Sequence, residues 1–407
     1  MSPQLADLRA GEYGARLEAN RLRRRLYDDP AGADAELFTA LAEAEERLGA
    51  AEAARQQAQA GDESAGVILD TRTDDGLLGP KTTGLEVTLT LRMEHVPTAV
   101  ANLLEAQDAP LVSCTVKNES DHTRRLRIRT YIEGYTAEAV DTVELESKQT
   151  HTFDQLPLLR AEPVRAVNEL TRAALNVLVE DLDKANGGGI ELHRSLPVWL
   201  LARTSAPLAV RDPTTGEPRD MSQYFAAFVT PNAPEVMTFL RKAADHHPDR
   251  TIVGYQGEES DVEPQVRAMF AALKEAGITY VNSVLTSTPE EGFADQRVRL
   301  PRESLADREA NCIDGTVLYA SLLEAASMHP AVVVVPGHAF VAWQAWEGKD
   351  EWRFLETTMT GSHTFEQARD AGERTAKHYK ASGDGFAGLR VMPVRKLRAE
   401  RRIFPIE

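Results

Sequence analysis

The chain contains two cysteines, Cys114 and Cys312, set in different surroundings. Cys312 opens the run Cys312-Ile313-Asp314-Gly315-Thr316, and Leu318, Leu322 and Leu323 follow at helical spacing. That spacing predicts a helix over 313–326 with the thiol at its beginning. A helix N-terminus offers unpaired N–H groups and partial positive charge. Both favour thiolate, the form of cysteine that attacks, and the same N–H groups can receive the oxyanion of an acyl intermediate. The apolar, β-branched run 331–335 reads as a buried strand. Gly337-His338 comes next and leads into a second strand over 339–343. After a turn at 347–350, a third strand over 352–357 carries Glu356 near its end. Adjacent antiparallel strands can bring His338 and Glu356 side by side. Nucleophile, base and orienting carboxylate are then all available for acyl chemistry at a thiol. Cys114 lies in the alternating segment 111–117 and reads as a small buried hydrophobe.

A cysteine at a helix start, then GHAFVAW, then W-x-FLETT resembles the transglutaminase-like superfamily of papain-type cysteine enzymes. More narrowly, it resembles a bacterial branch in which QxVRxP and CxDGT precede the GHAF segment. Gln296, Val298, Arg299 and Pro301 match the first motif, and Cys312, Asp314, Gly315 and Thr316 the second. The resemblance covers residues 222–360. It implies a catalytic cysteine on a central helix packed against a sheet that carries the histidine and the acid. Cys312 would be the nucleophile, His338 the base and Glu356 the third member. Many relatives carry Asp in an Asp-x-Thr setting, and Glu356-Thr357 stands in its place here.

The activity expected is a cysteine-dependent hydrolase, a peptidase or amidase acting on a protein or peptide through an acyl enzyme. Transglutaminase-type acyl transfer to an amine shares the first step and is the alternative. A non-catalytic protein-interaction module is the reading from a different class. Gln296 is a candidate oxyanion donor, since Gln plays that role in related enzymes, or else an ordinary loop residue. Asp314 suits the first helical turn better than a ligand contact, and Arg299 suits a structural ion pair. Trp343 falls on the strand face opposite His338 and reads as core, whereas Trp346 could rim a substrate cleft.

These residues need elements to position them. Residues 1–60 read as two helices around the turn Asp28-Asp29-Pro30-Ala31-Gly32, a helical hairpin that is either a solvated arm or a dock for a partner protein. Residues 61–84 read as a linker. Short alternating segments over 85–205, with a hairpin-like turn at Asn186-Gly187-Gly188, predict an antiparallel β-sandwich of immunoglobulin-like type. Residues 206–220 read as a second linker, and 221–407 as an α+β domain of transglutaminase-like type. Within it, helices are expected over 236–244, 263–276 and 365–380, and Gly277 stops the second. The basic tail 395–407 reads as a docking element or as chain returning to the domain.

Composition narrows the classes. A chain of 407 residues corresponds to roughly two or three domains. With 63 acidic and 46 basic residues the net charge is −17, which excludes a nucleic-acid surface spanning the protein, because phosphate binding needs excess Lys and Arg. Two cysteines exclude a disulfide framework and a Cys-rich zinc site, and point to a reducing, cytoplasmic setting. The N-terminal segment lacks the apolar core of a signal peptide, and no apolar stretch approaches the ~20 residues that span a bilayer. HExxH, GxGxxG and GxxxxGK[ST] are absent, so neither metal nor cofactor is expected.

Overall fold

The computed structural model describes residues 3–59, 68–70, 84–183, 188–211, 218–281, 293–381 and 388–406. Most of the linker expected over 61–84, residues 212–217 of the second one, and Asn186-Gly187 of the expected hairpin turn lie outside the described residues.

Two long helices open the chain, α1 (Pro3–Asp28) and α2 (Ala35–Gln59). Seven strands follow: β1 (Ile68–Asp70), β2 (Leu85–Leu91), β3 (His95–Val96), β4 (Val112–Asn118), β5 (Arg124–Ile132), β6 (Ala139–Leu145) and β7 (Thr150–Gln155). The short α3 (Ala161–Arg165) precedes β8 (Thr171–Asp181), β9 (Gly189–Leu200), β10 (Ser205–Arg211) and β11 (Pro218–Asp220). Helices then alternate with strands: α4 (Pro234–Ala244), α5 (Val262–Glu275), β12 (Thr279–Tyr280), β13 (Phe293–Arg297), α6 (Pro301–Asp307), β14 (Glu309–Ala310) and α7 (Cys312–Ala325). The last elements are β15 (Pro330–Val335), β16 (His338–Gln344), β17 (Trp352–Leu355), α8 (Phe365–Ala381), β18 (Arg390–Pro393) and α9 (Val394–Arg401). This mixed α+β chain divides into two compact units.

One unit comprises Ser64–Met221 and Leu285–Arg297. Its sheets have the orders β1-β2-β4-β7, β3-β9-β8-β5-β6 and β11-β10-β13. Every pairing in them is antiparallel except β3 with β9. Period-two patterning builds them. On β4, Val112, Cys114 and Val116 point inward, and on β5, Leu126 and Ile128 are buried between the more exposed Arg125, Arg127 and Arg129. Several polar groups enclosed with this core are paired. Arg124 bridges Asp181 and Glu191, and Gln155 donates to Asp141 at 2.8 Å. The Pro- and Thr-rich stretch expected to be a linker over 206–220 instead supplies β10 and β11. Pro207 falls at the irregularity between Pro207 and Ala209, where a strand can do without a backbone donor.

The other unit comprises Met1–Glu63, Ser222–Val284 and Val298–Glu407. Its main sheet, β17-β16-β15-β18, is antiparallel throughout. Alternation along β15 and β16 sends Ala331, Val333, Val335, Phe340 and Ala342 to one face. There they share a core with Leu22, Leu26, Leu37, Leu41 and Leu48 of α1 and α2, and with Ala376 and Tyr379 of α8. The helical pair is therefore a wall of this unit and not a free-standing arm. A leucine stripe facing an apolar sheet is driven out of water by burial alone, at about 1.5–3 kcal/mol per leucine. At its flanks Arg23 pairs with Glu45 at 2.9 Å, and Arg55 and Arg16 both reach Glu12. Val332 and Val334 are left for the opposite face, where α7 packs. Residues Ile313 to Leu323 of α7 are buried all round, as expected of a helix at the centre of a core. The basic tail supplies most of α9, and its Arg398 holds both oxygens of Glu324 at 2.7 Å. Among the described residues no helix is long and apolar enough to cross a membrane.

Candidate active site

The start of α7 is defined by a reciprocal cap. The Asn311 side chain accepts from the Asp314 amide at 2.8 Å, and Asp314 accepts from the Asn311 amide at 3.1 Å. The first intrahelical bond runs from the Gly315 amide to the Asn311 carbonyl at 3.0 Å. Cys312 therefore begins the helix, and its amide and that of Ile313 precede the backbone ladder. Asp314 is fully buried and also holds the Arg299 amide at 2.7 Å and guanidinium at 3.0 Å. Burial pushes its carboxyl upward against those bonds. Asp314 thus serves the helix start, and Arg299, which also reaches Glu309, ties that start to the preceding chain. At Gly315 a Cβ atom would lie 2.9 Å from Thr357 Oγ1. Glycine at this position lets the first turn of α7 close against the residue that follows Glu356.

His338 is placed by a tight turn. Val335 and His338 are register partners across Pro336-Gly337, and Gly337 has φ 74°, the left-handed value that a Pro-Gly turn requires. The His338 side chain is 2 % exposed, and its Nε2 lies 2.7 Å from Glu356 Oε2. The other carboxylate oxygen of Glu356 accepts from the Thr358 amide at 3.1 Å and the Thr358 hydroxyl at 2.7 Å. Cys312 lies close enough to the same imidazole to raise its pKa. With Nε2 engaged by Glu356, Nδ1 is the ring nitrogen left for sulfur. The three side chains expected to act together are thus gathered around one ring. Cys312 is partly exposed, as a group that must meet a ligand has to be.

The electrostatics are those of a buried ion pair. Burial is the largest influence on His338 and lowers its pKa. The Glu356 charge, with hydrogen bonds to Cys312 and Glu356, outweighs burial and raises it to about 10. For Glu356 burial acts upward, but the His338 charge and the His338 and Thr358 bonds hold it below its usual value. Both shifts favour imidazolium beside carboxylate. Tyr280 lies within electrostatic reach: burial raises its phenol first, then the charges of Cys312, Glu356 and Asp28. A narrow cavity lined by Tyr280, Gly315, Thr357 and Thr358 adjoins this cluster. Among the described residues no group of three His, Cys, Asp or Glu side chains could hold a metal ion.

Two further candidates lie on other segments. Gln296 lies on β13 opposite Ala206 of β10, in the β-rich unit, and its side chain donates to the Arg297 carbonyl at 3.1 Å. Trp346 lies beyond the far end of β16 from His338, six residues or roughly 20 Å along the strand to Gln344 alone. It packs edge-on against Tyr255 at 5.7 Å. The wider pocket at that end is lined by Tyr255, His329, Glu347 and Arg395 and includes none of the Cys312 cluster. Strand direction is what separates Trp346 from the cleft it was expected to rim.

Three residues that shape the site escape a motif-based reading. Asn311 carries a signal, the Asn-x-x-Asp spacing of a capping box. Thr358 carries one too, standing two residues beyond Glu356. Tyr27 carries none, because it belongs to α1 and reaches His338 only through tertiary packing. No protein-family model matches the chain, and no curated protein matches it.

Proposed function

We propose that this chain is a cysteine-dependent hydrolase of papain-like, transglutaminase-like type, a peptidase or amidase whose nucleophile is Cys312. The β-rich unit would be its immunoglobulin-like sandwich. The observation that carries the reading is one imidazole bonded to Glu356 at 2.7 Å and within electrostatic reach of Cys312. An imidazolium stabilised by a buried carboxylate is the partner that a thiolate needs.

In the reaction, Cys312 Sγ adds to an amide carbonyl, and the amides at the start of α7 receive the oxyanion. His338 Nδ1 gives its proton to the leaving nitrogen, the C–N bond breaks, and a thioester remains. The neutral imidazole then takes a proton from water, hydroxide adds to the thioester, and the acid leaves as sulfur recovers its electron pair. Glu356 keeps the ring oriented throughout and stabilises its protonated form. Acyl transfer would replace water with an amine in the second half. An occluded Cys312 would favour a binding module, and the partial exposure of this thiol supports an enzyme instead.

The test is alkylation of the folded protein with iodoacetamide at neutral pH, read peptide by peptide. Cys312 is expected to react rapidly and Cys114 not at all, and His338→Gln is expected to slow Cys312 sharply. Equal rates for Cys312 in wild type and His338→Gln would overturn the proposal.

A further inference from the structure

We propose that Tyr27, delivered by α1, is a positioning residue for His338, which makes the N-terminal helical pair a working part of the active site. This inference rests on the Cys312–His338 reading above. The Tyr27 and His338 rings are stacked, with centroids 4.2 Å apart and planes 18° from parallel. The contact covers a face of the imidazole, and Glu356 takes its edge at Nε2. The Tyr27 hydroxyl donates to the Pro336 carbonyl at 2.8 Å, in the turn that launches His338. It also lies 2.9 Å from the Tyr379 hydroxyl of α8, which donates to Glu45 of α2 at 3.1 Å. Glu45 in turn accepts from Arg23 at 2.9 Å. One tyrosine is thus anchored at its hydroxyl to the histidine turn, and through Tyr379 and Glu45 to α8 and α2, while its face lies on the ring.

Packing alone does not call for this residue. Leu22, Leu26, Leu37 and Leu41 already bury the helical pair against the sheet. Tyr27 adds a π face, which attracts a cation and so favours His338 in its protonated form. It also blocks rotation of the imidazole out of the plane that serves both Glu356 and Cys312. The charged and titratable groups around the ring are Cys312 from α7, Glu356 following β17, Tyr280 from β12 beside those two, and Tyr27 with Arg23 from α1, whose side chain runs beside Gly337. Among these, Tyr27 is the group that meets the face of the ring.

The test uses the full chain and follows alkylation of Cys312 by iodoacetamide from acid to alkaline pH. Tyr27→Phe keeps the ring and is expected to retain the wild-type profile with a modest loss of rate. Tyr27→Leu removes the ring, and is expected to slow alkylation by about three- to tenfold and to move the alkaline inflection to lower pH. Leu41→Ala loosens the same helical pair without touching His338, and is expected to lower the melting temperature while leaving the inflection in place. A wild-type profile in Tyr27→Leu, faster alkylation in that variant, or the same inflection shift in Leu41→Ala would each overturn the role of Tyr27. His338→Gln separates the two levels. If it slows Cys312 while Tyr27→Leu does not, only the Tyr27 proposal falls; if it leaves Cys312 unchanged, the dyad falls and Tyr27 with it.

Discussion

Cys114 and Cys312 are the same chemical group in opposite settings. Cys114 lies at the middle of β4, fully buried, between Leu89 on β2 and Phe153 on β7. Burial without a charged partner pushes its thiol up to about 12, so it packs as a small hydrophobe. Cys312 is partly exposed at the start of a helix, beside an imidazole that a buried carboxylate favours in its charged form. The contrast teaches that a cysteine's setting is made by its partners as much as by its access to solvent. A strand in a filled sheet offers a cysteine only apolar neighbours, whereas a capped helix start beside a strand end offers donors, a cation and open space.

Removing the partner should break the contrast most completely. His338→Gln is expected to lower amide hydrolysis by about 10²–10⁴-fold, measured as turnover of a peptide or amide substrate. Melting temperature, followed in parallel, confirms that the fold survives. Glu356→Gln keeps the shape but loses the charge, and is expected to cost roughly 10²-fold, read in the same assay. If Glu356→Gln left the rate unchanged, the carboxylate would be a structural anchor and nothing more.

The converse variant sharpens the comparison from the inert side. Cys114→Ser places a hydroxyl among apolar neighbours and is expected to destabilise the protein by about 1–3 kcal/mol in urea unfolding, with Cys312 alkylated as before. Cys312→Ser should do the opposite, abolishing alkylation at that site with little change in stability.

The smallest effect expected is on stability against pH. His338 is raised from 6.5 to about 10, so its contribution is complete below the unfolded value and is lost as pH rises from 6.5 through 10. Glu356 is held below its reference of 4.5, so its contribution is present above that pH and is lost as pH falls further. Melting temperatures of wild type are thus expected to decline on the alkaline side relative to His338→Gln. Parallel curves for the two proteins would show that the ion pair adds nothing to folding.

Much of this site is legible along the chain. The helix from Cys312, the turn before His338 and the strand that brings Glu356 each depend on contacts within a few residues, or on pairing between neighbours in sequence. Period-two alternation likewise marks Cys114 and Trp343 as interior. The stretch 206–220 misleads because Pro and Thr composition imitates a linker, while the bulge at Pro207 lets a strand form. Trp346 misleads because closeness to His338 in sequence becomes distance when the intervening residues are extended.

The sequence by itself determined the candidate nucleophile, its base and its acid, together with the helix start and strand ends that carry them. Capping, turn sterics and hydrophobic period act locally and therefore show in the order of residues. Only the tertiary structure decided that α1 and α2 wall the sheet, that Tyr27 lies 4.2 Å from His338, and that Gln296 belongs to the β-rich unit. Hydrophobic burial drives such docking and is non-directional. A leucine stripe announces that it will be covered, but which sheet covers it, and which tyrosine that brings to which histidine, depends on the shape of the whole core.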